Sequence, residues 1–508
     1  MIKLTRKNKL ILNSSVGLFA QIISMACGFI LPSVILSAYG SKAYGLMSSI
    51  NQFLGFIQLC ELGVGAVVQS ALYKPLADND TYQVDCILKS SRRFFRTIGT
   101  ILFVYVIGLC VFYPLLINDY EPTFVILMIV ALSIDSFSNY YLGMNNSLLL
   151  QADQRSFIPL GAQAIATLIN TVVSLILIKF GVPLLFVKYS TAAIFLLKPL
   201  VLFLAVRKHY KINYDVKYEV EPIQQKWNGL TQHFASVVVD HTDVVVLTAF
   251  STLENVSIYS IYYLVVSSLR TLITSSLNGV QATMGNMIAK KEYDLLDKFF
   301  NKTEWVVHTA IIILFTVTSI LITPFVLLYT RNIHDANYNV PLFSALIVVA
   351  NAGFCLQNIY KMVVKAAGHY KETQTSSIIE AIINVVSSIV LVSKFGLVGV
   401  AIGTILAMTY RLLYHVWYMK HNIIHRLYKP FIKQCIVDII IIFVSVLIFE
   451  IIPIKVTSYI YWILFGILVF FITTIISFVI NFLFYKENLS NLMYSFVRMI
   501  KNLFSKVI

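Results

Sequence analysis

A single arginine stands mid-way along an apolar segment that has no other charge. Arg270 lies within the stretch 255–288, and a charged side chain at the centre of a membrane helix costs at least about 2.5–3.5 kcal/mol. Polar residues accompany it on one helical face at spacings of three and four: Ser267, Thr271, Thr274, Asn278 and Gln281. A guanidinium suits a phosphate, and hydroxyl and amide groups suit sugars. Arg270 is therefore predicted to bind phosphate, and Thr274 and Asn278 to bind sugar. The alternative is a structural ion pair with a buried acid such as Glu61 or Asp243.

Three further cations are candidates for the same phosphate. Lys361 lies deeper in the membrane than Lys365, which is near the end of the predicted helix 339–364 and is expected to extend toward the lipid headgroups. Lys198 and Arg411 occupy roughly related positions in the two halves of the chain. Lys361, Lys198 and Arg411 are predicted to line a substrate cavity. For Lys198 and Arg411, contact with lipid headgroups is the open alternative.

Acidic residues and a histidine are grouped in the predicted helix 229–251. Asp240 and Asp243 are three residues apart and share a face, with His241 beside them. Paired acids with a histidine inside a membrane are typical of a proton or cation relay. Glu61 is a single acid in the predicted helix 43–72 and is a further candidate for ion coupling. The alternative is that these groups act as structural counter-ions.

Amides on the second predicted helix complete the candidate site. Asn51 and Gln52 can bond sugar hydroxyls, although polar packing between helices explains them equally well. The sequence has neither an HExxH pair nor a GxxxxGK[ST] loop. We therefore predict no catalytic residue, no metal site and no cofactor, and energy from an ion gradient, the membrane potential or removal of the product.

Composition predicts an all-α integral membrane protein. Of the 508 residues, 58% are hydrophobic and only 12% are charged, which is too little charge to cover a soluble fold of this size. A bilayer crossing takes roughly 20 mostly apolar residues. About fourteen helices are predicted at 10–37, 43–72, 94–117, 122–150, 157–179, 182–206, 229–251, 255–288, 304–329, 339–364, 372–393, 397–419, 432–453 and 457–484. The first apolar run is too long for a cleaved signal segment.

Basic residues are distributed unequally between the two sides of these helices. Most of the 39 lysines and arginines lie at the N-terminus, in the even-numbered connections and at the C-terminus. Because basic loops stay in the cytoplasm, both termini are predicted to be cytoplasmic. The net charge of +15 then has a topological cause and does not indicate nucleic acid as a partner. The predicted outer loops are short, which argues against a polymerase or ligase with a catalytic outer domain.

The two halves of the chain resemble each other at an offset of about 215 residues. Lys179-Phe180-Gly181 corresponds to Lys394-Phe395-Gly396, and each triplet follows an apolar helix that carries an Asn and a Ser. The duplication predicts two pseudo-symmetric six-helix lobes, 1–206 and 229–420, joined by a cytoplasmic linker, 207–228. The segment 421–508 adds two helices and a tail.

Four segments carry a resemblance to a known family: 61–65 with 69–73, 150–155, 242–243 and 256–263. With them the whole chain resembles the multidrug/oligosaccharidyl-lipid/polysaccharide exporter (MOP) superfamily, in particular the polysaccharide transporters of the Wzx type. The resemblance implies two lobes around a central cavity and alternating access. It also implies a flippase that moves undecaprenyl-diphosphate-linked oligosaccharide from the cytoplasmic to the outer leaflet of the bacterial inner membrane.

The resemblance carries further expectations about partners. A monomer surrounded by membrane lipids is expected, with a polysaccharide polymerase as a partner protein. Two alternatives stay open within the superfamily: a multidrug or cation antiporter, and a peptidoglycan-precursor flippase. An antiporter of cations should have an acidic site, whereas the deep charges here include Arg270 and Lys361.

Overall fold

The computed structural model describes residues 6–61, 63–223, 230–451 and 456–490, and these residues form helices without a strand. The helices are α1 (Arg6–Gly55), α2 (Gln58–Glu61), α3 (Val64–Asp78), α4 (Thr81–Phe112), α5 (Pro122–Ser138), α6 (Met144–Ala152), α7 (Phe157–Lys179), α8 (Leu184–Phe195), α9 (Leu197–His209), α10 (Leu230–Phe250), α11 (Leu253–Ser276), α12 (Asn278–Ala289), α13 (Tyr293–Tyr329), α14 (Pro341–Ala366), α15 (Gln374–Phe395), α16 (Leu397–Asn422), α17 (Lys429–Ile451) and α18 (Tyr459–Phe484). One π-turn, Asn139–Gly143, joins α5 to α6.

Thirteen helical stretches in the described ranges are long and apolar enough to span a bilayer. The first of them, Asn8–Glu61, contains two helical parts because the backbone of Gly40 is not helical, with a φ of 83°. That break lies between the predicted helices 10–37 and 43–72, so it accounts for the difference between thirteen and fourteen. The predicted fold class, an all-α membrane protein of about fourteen helices, is confirmed.

The helices bury their small polar residues and expose their apolar ones. On α18, Thr473, Ser477 and Asn481 are at most 1% exposed, whereas Ile460 and Leu483 are each 72% exposed. This pattern is the reverse of a soluble helix. It is expected in lipid, where helices associate through small and polar side chains because apolar surfaces gain nothing by leaving the hydrocarbon.

Packing divides the chain into two compact units. Unit 1 is Met1–Ser260 with Asn332–Ala336, and unit 2 is Ile261–Arg331 with Asn337–Ile508. The predicted limits at 206, 229 and 420 come from the internal duplication and remain predictions. Of the predicted linker 207–228, the first residues continue α9 to His209, and 224–228 lie outside the described residues.

In unit 1, the family-like segment 150–155 comprises the end of α6 and the turn that follows it. The Lys9 Nζ lies 3.1 Å from the Asp153 carboxylate and donates to the Asp153 carbonyl, which attaches α1 to the end of α6. The Arg155 Nε lies 2.8 Å from the same carboxylate, and the Tyr210 hydroxyl donates to it. Burial, together with this carboxylate, raises the pKa of Tyr210, so the phenol stays a neutral donor. These contacts explain the segment by structure alone.

In unit 2, α15 and α16 form a tight hairpin. Gly396, with a φ of 53°, ends α15 and directly precedes α16, and glycine tolerates a positive φ because it has no Cβ. Gly403 on α16 faces α15 so closely that a Cβ there would lie 2.9 Å from the backbone nitrogen of Ser388. The absence of a side chain at this position lets the two helices approach.

Gly403→Ala is expected to destabilise unit 2 by about 1–3 kcal/mol, because the backbone of α15 cannot yield as a side chain would. Thermal unfolding of the purified protein in detergent measures the change. Gly353→Ala on α14 is the matched control: its nearest neighbour, the Cβ of Met408, is at an ordinary 3.5 Å, and alanine favours a helix by up to about 1 kcal/mol over glycine. An unchanged melting temperature for Gly403→Ala would contradict the close approach.

Candidate functional site

Arg270 lies on α11 with its charge against an aromatic ring. Its guanidinium carbon is 3.4 Å from the ring centroid of Phe354 on α14, and its Nη1 is 3.5 Å from the hydroxyl of Tyr263. A cation over an aromatic face is attracted by the negative face of the ring quadrupole. The side chain is half-buried, so these two contacts orient a guanidinium that keeps some access from outside.

The hydroxyls beside Arg270 bond first to their own helix. The Thr274 hydroxyl donates to the Arg270 carbonyl at 2.9 Å, and Thr271 donates to the Ser267 carbonyl at 2.9 Å. Each hydroxyl oxygen keeps lone pairs that can accept from a sugar. The side chain of Asn278 lies outside the described residues. The sugar-binding roles of Thr274 and Asn278 stay predictions.

Two of the predicted cations come together around a buried histidine. His415 on α16 is fully buried, and neither ring nitrogen has a hydrogen-bond partner in the described part of the chain. Lys361 and Lys365 of α14 and Arg411 of α16 all act on it electrostatically. We call these three cations and His415 the α14–α16 cationic cluster. It places positive charge on two neighbouring helices of unit 2.

Arg411 also ties α16 to α15. Its side chain is 1% exposed, its Nε lies 3.2 Å from a carboxylate oxygen of Glu380, and its Nη2 donates to the Ser377 hydroxyl at 2.7 Å. A third bond goes to the Ser376 hydroxyl. These contacts hold the guanidinium inside unit 2. A direct role for Arg411 in binding substrate remains a prediction.

The predicted coupling residues lie in unit 1. The Nδ1 of His241 and the side-chain oxygen of Gln52 form a hydrogen bond between α10 and α1. Asp243 is buried and accepts from the Tyr259 hydroxyl at 2.7 Å. Asp240 is exposed and acts electrostatically on His241. The structure thus joins Gln52, predicted for sugar, to His241, predicted for ions.

The structure also places the remaining predicted residues of unit 1. Glu61 on α2 is half-buried, with a carboxylate oxygen 3.4 Å from the Tyr140 hydroxyl. Lys198 on α9 is half-buried within electrostatic range of Asp135 on α5. Asn51 is exposed on α1. Their roles in coupling, phosphate binding and sugar binding stay predictions.

Sequence reasoning missed a group of ionisable residues that unit 2 buries: Glu304 and His308 on α13, Asp438 on α17 and Arg426 before α17. Each lies near an end of a predicted helix, where charges are normally solvated. The signal that could have found them is the presence of two acids and a histidine within apolar runs.

Comparison with known proteins bears on the fold. No family model matches the chain, and no curated protein matches it by sequence. Among solved structures, the chain is similar to lipid II flippase MurJ in an inward closed conformation, with a TM-score of 0.70 and 17% identity over 94% of this chain and 99% of that one.

Two further solved structures have the same architecture. One is a multidrug resistance MATE family transporter of the MOP superfamily in an inward-facing conformation, with a TM-score of 0.60 and 14% identity over 81% of this chain and 98% of that one. The other is a MOP superfamily transporter from Pyrococcus furiosus, with a TM-score of 0.51 and 13% identity over 82% and 96%. The chain therefore has the fold of the transporters and flippases of the MOP superfamily.

Proposed function

We propose that this protein is a flippase that moves undecaprenyl-diphosphate-linked oligosaccharide repeat units from the cytoplasmic to the outer leaflet. The α14–α16 cationic cluster is the observation that carries the proposal. It brings Lys361, Lys365 and Arg411 within electrostatic range of one buried histidine, on two neighbouring helices of unit 2. Cationic side chains within membrane helices are costly and are therefore candidates for binding an anion.

Arg270 adds a second cation on a different helix of the same unit. Its contact with Phe354 of α14 fixes the plane of the guanidinium, and a planar fork of donors matches two phosphate oxygens. A diphosphate carries several such oxygens. The hydroxyl-bearing face of α11, with Thr271 and Thr274, supports sugar recognition next to the phosphate.

The same chemistry weighs against a multidrug or cation antiporter. Like charges repel across short distances in a low-dielectric interior, so a cationic substrate would be disfavoured beside Arg270 and Lys361. A peptidoglycan-precursor flippase is the second candidate, because the structural likeness to lipid II flippase MurJ extends over 94% of this chain.

Depletion of the protein from its host tests the proposal. Lipid-linked oligosaccharide is expected to accumulate on the cytoplasmic leaflet and to return to its normal level when the wild-type gene is restored. Accumulation of a peptidoglycan precursor would favour the second candidate. A change in drug sensitivity without accumulation of any lipid-linked sugar would overturn the flippase proposal.

A further inference from the structure

A line of hydrogen-bonded side chains crosses the buried part of unit 2. Its members are Arg426, Glu304, Tyr360, His308, Asp438 and Gln434, which we call the polar chain. All six are at most 9% exposed. Helices α13, α14 and α17 supply five of them, and Arg426 comes from the segment between α16 and α17.

The first half of the polar chain is centred on Glu304. The Arg426 Nη2 donates to one oxygen of its carboxylate at 2.7 Å. The hydroxyl of Tyr360 lies 2.6 Å from the other oxygen. Glu304 is thus held between a permanent cation and a phenol.

The second half is centred on His308. Its Nε2 lies 3.1 Å from the Tyr360 hydroxyl, and its Nδ1 lies 2.7 Å from one carboxylate oxygen of Asp438. The side-chain amide of Gln434 donates to the other oxygen of Asp438 at 2.9 Å. Both carboxylates therefore reach the same imidazole, Asp438 directly and Glu304 through Tyr360.

The number of hydrogens in these contacts can be counted. Three consecutive hydrogen bonds join Asp438 to His308, His308 to Tyr360 and Tyr360 to Glu304, and each needs one hydrogen. A neutral histidine supplies one N–H and a tyrosine supplies one O–H. The third hydrogen must be an additional proton, whether it resides on the imidazole or on either carboxyl group.

Charge balance supports the same count. Two carboxylates carry two negative charges, and Arg426 supplies one positive charge. One additional proton makes the polar chain neutral, whereas its loss leaves one uncompensated negative charge in the interior. Cys435 on α17 and Tyr485 after α18 are neutral neighbours. The charged neighbours Lys429 and Lys433 of α17 line the cavity beside Glu304.

A route for proton exchange adjoins Glu304. A cavity of about 370 Å³ lies beside α13, at the start of α17 and next to the residues that follow α18. Its lining includes Glu304 and Gln434 of the polar chain, together with Lys429 and Lys433. Charge distribution predicts this end to be the cytoplasmic one.

We propose that the polar chain is a proton-binding site that stores one exchangeable proton and exchanges it through this cavity. The proton belongs to the polar chain as a whole, because three consecutive hydrogen bonds link the groups that share it. This site is distinct from the Asp240–His241–Asp243 group of unit 1. If the proposed flippase function holds, proton loading here biases α13, α14 and α17 between two transport states.

Proton uptake by the purified full-length protein in detergent tests the proposal without any substrate. On acidification from mildly alkaline pH, the wild type is expected to bind about one proton per chain more than either Glu304→Gln or Asp438→Asn. Each amide leaves a single carboxylate, which Arg426 already balances. Circular dichroism and gel filtration of each variant establish that it is folded.

Glu380→Gln is the matched control, because Glu380 is likewise a buried acid, and its carboxylate lies 3.2 Å from the Nε of an arginine, Arg411. It is expected to bind as many protons as the wild type.

The proton site would be overturned if a folded Glu304→Gln or Asp438→Asn variant bound as many protons as the wild type. That result would not affect the flippase proposal. Conversely, if the level of lipid-linked oligosaccharide stayed normal after depletion of the protein, the flippase proposal would be overturned and the proton site would be unaffected.

Discussion

Arg270→Ala is expected to abolish export of surface polysaccharide while the protein remains at its normal abundance in the membrane. A hydrogen bond to a charged group contributes about 1.5–3 kcal/mol, which corresponds to a loss of roughly tenfold to a hundredfold in a rate or an affinity. Loss of a bidentate phosphate contact should lie at the upper end. Surface polysaccharide and immunoblots of membrane fractions measure the two quantities in the same cells.

Arg270→Lys separates charge from geometry. Lysine keeps the positive charge but cannot place a planar guanidinium on the ring of Phe354. An intermediate export level is therefore expected, between those of the wild type and Arg270→Ala. Normal polysaccharide in cells that carry only Arg270→Ala would eliminate this residue as a phosphate ligand.

Glu380→Leu is expected to lower the free energy of unfolding by about 3–5 kcal/mol, because it leaves the Arg411 guanidinium buried without its carboxylate. Thermal and denaturant unfolding in detergent measure the loss. This loss of stability should be larger than the loss caused by breaking an exposed ion pair, such as that of Lys42 with Asp119.

The double variant Glu380→Leu/Arg411→Met provides the control for this experiment. It replaces both charges with apolar side chains, and such replacements often recover the stability of a buried pair. Recovery in the double variant, but not in the single one, is the expected pattern. A single variant as stable as the wild type would show that Arg411 does not depend on Glu380.

Much of the fold could be predicted because the bilayer imposes simple rules. A segment that must satisfy its own backbone in hydrocarbon becomes a helix of predictable length, and most predicted spans have observed counterparts. The largest differences occur where helices leave the membrane. Helix α13 begins at Tyr293, eleven residues before the predicted start at 304, because the mixed-charge residues before the apolar run continue the same helix.

The site was less predictable because its chemistry depends on packing between helices. The charge of Arg411 was visible in the sequence, but its pairing with Glu380 follows from the α15–α16 hairpin. Similarly, nothing in the sequence connects His308 with Asp438, which are 130 residues apart. Arg270, by contrast, could be identified from the sequence, because a single charge in an apolar helix is visible without knowing which helices pack against it.

The glycine junction between α15 and α16 also has a consequence for biosynthesis. Two apolar helices joined through Gly396 leave the ribosome almost together, and their mutual contacts are close in sequence. Local contacts form before distant ones. We therefore expect this pair to enter the bilayer as one hairpin and to serve as an early template, onto which α14, synthesised before it, then docks.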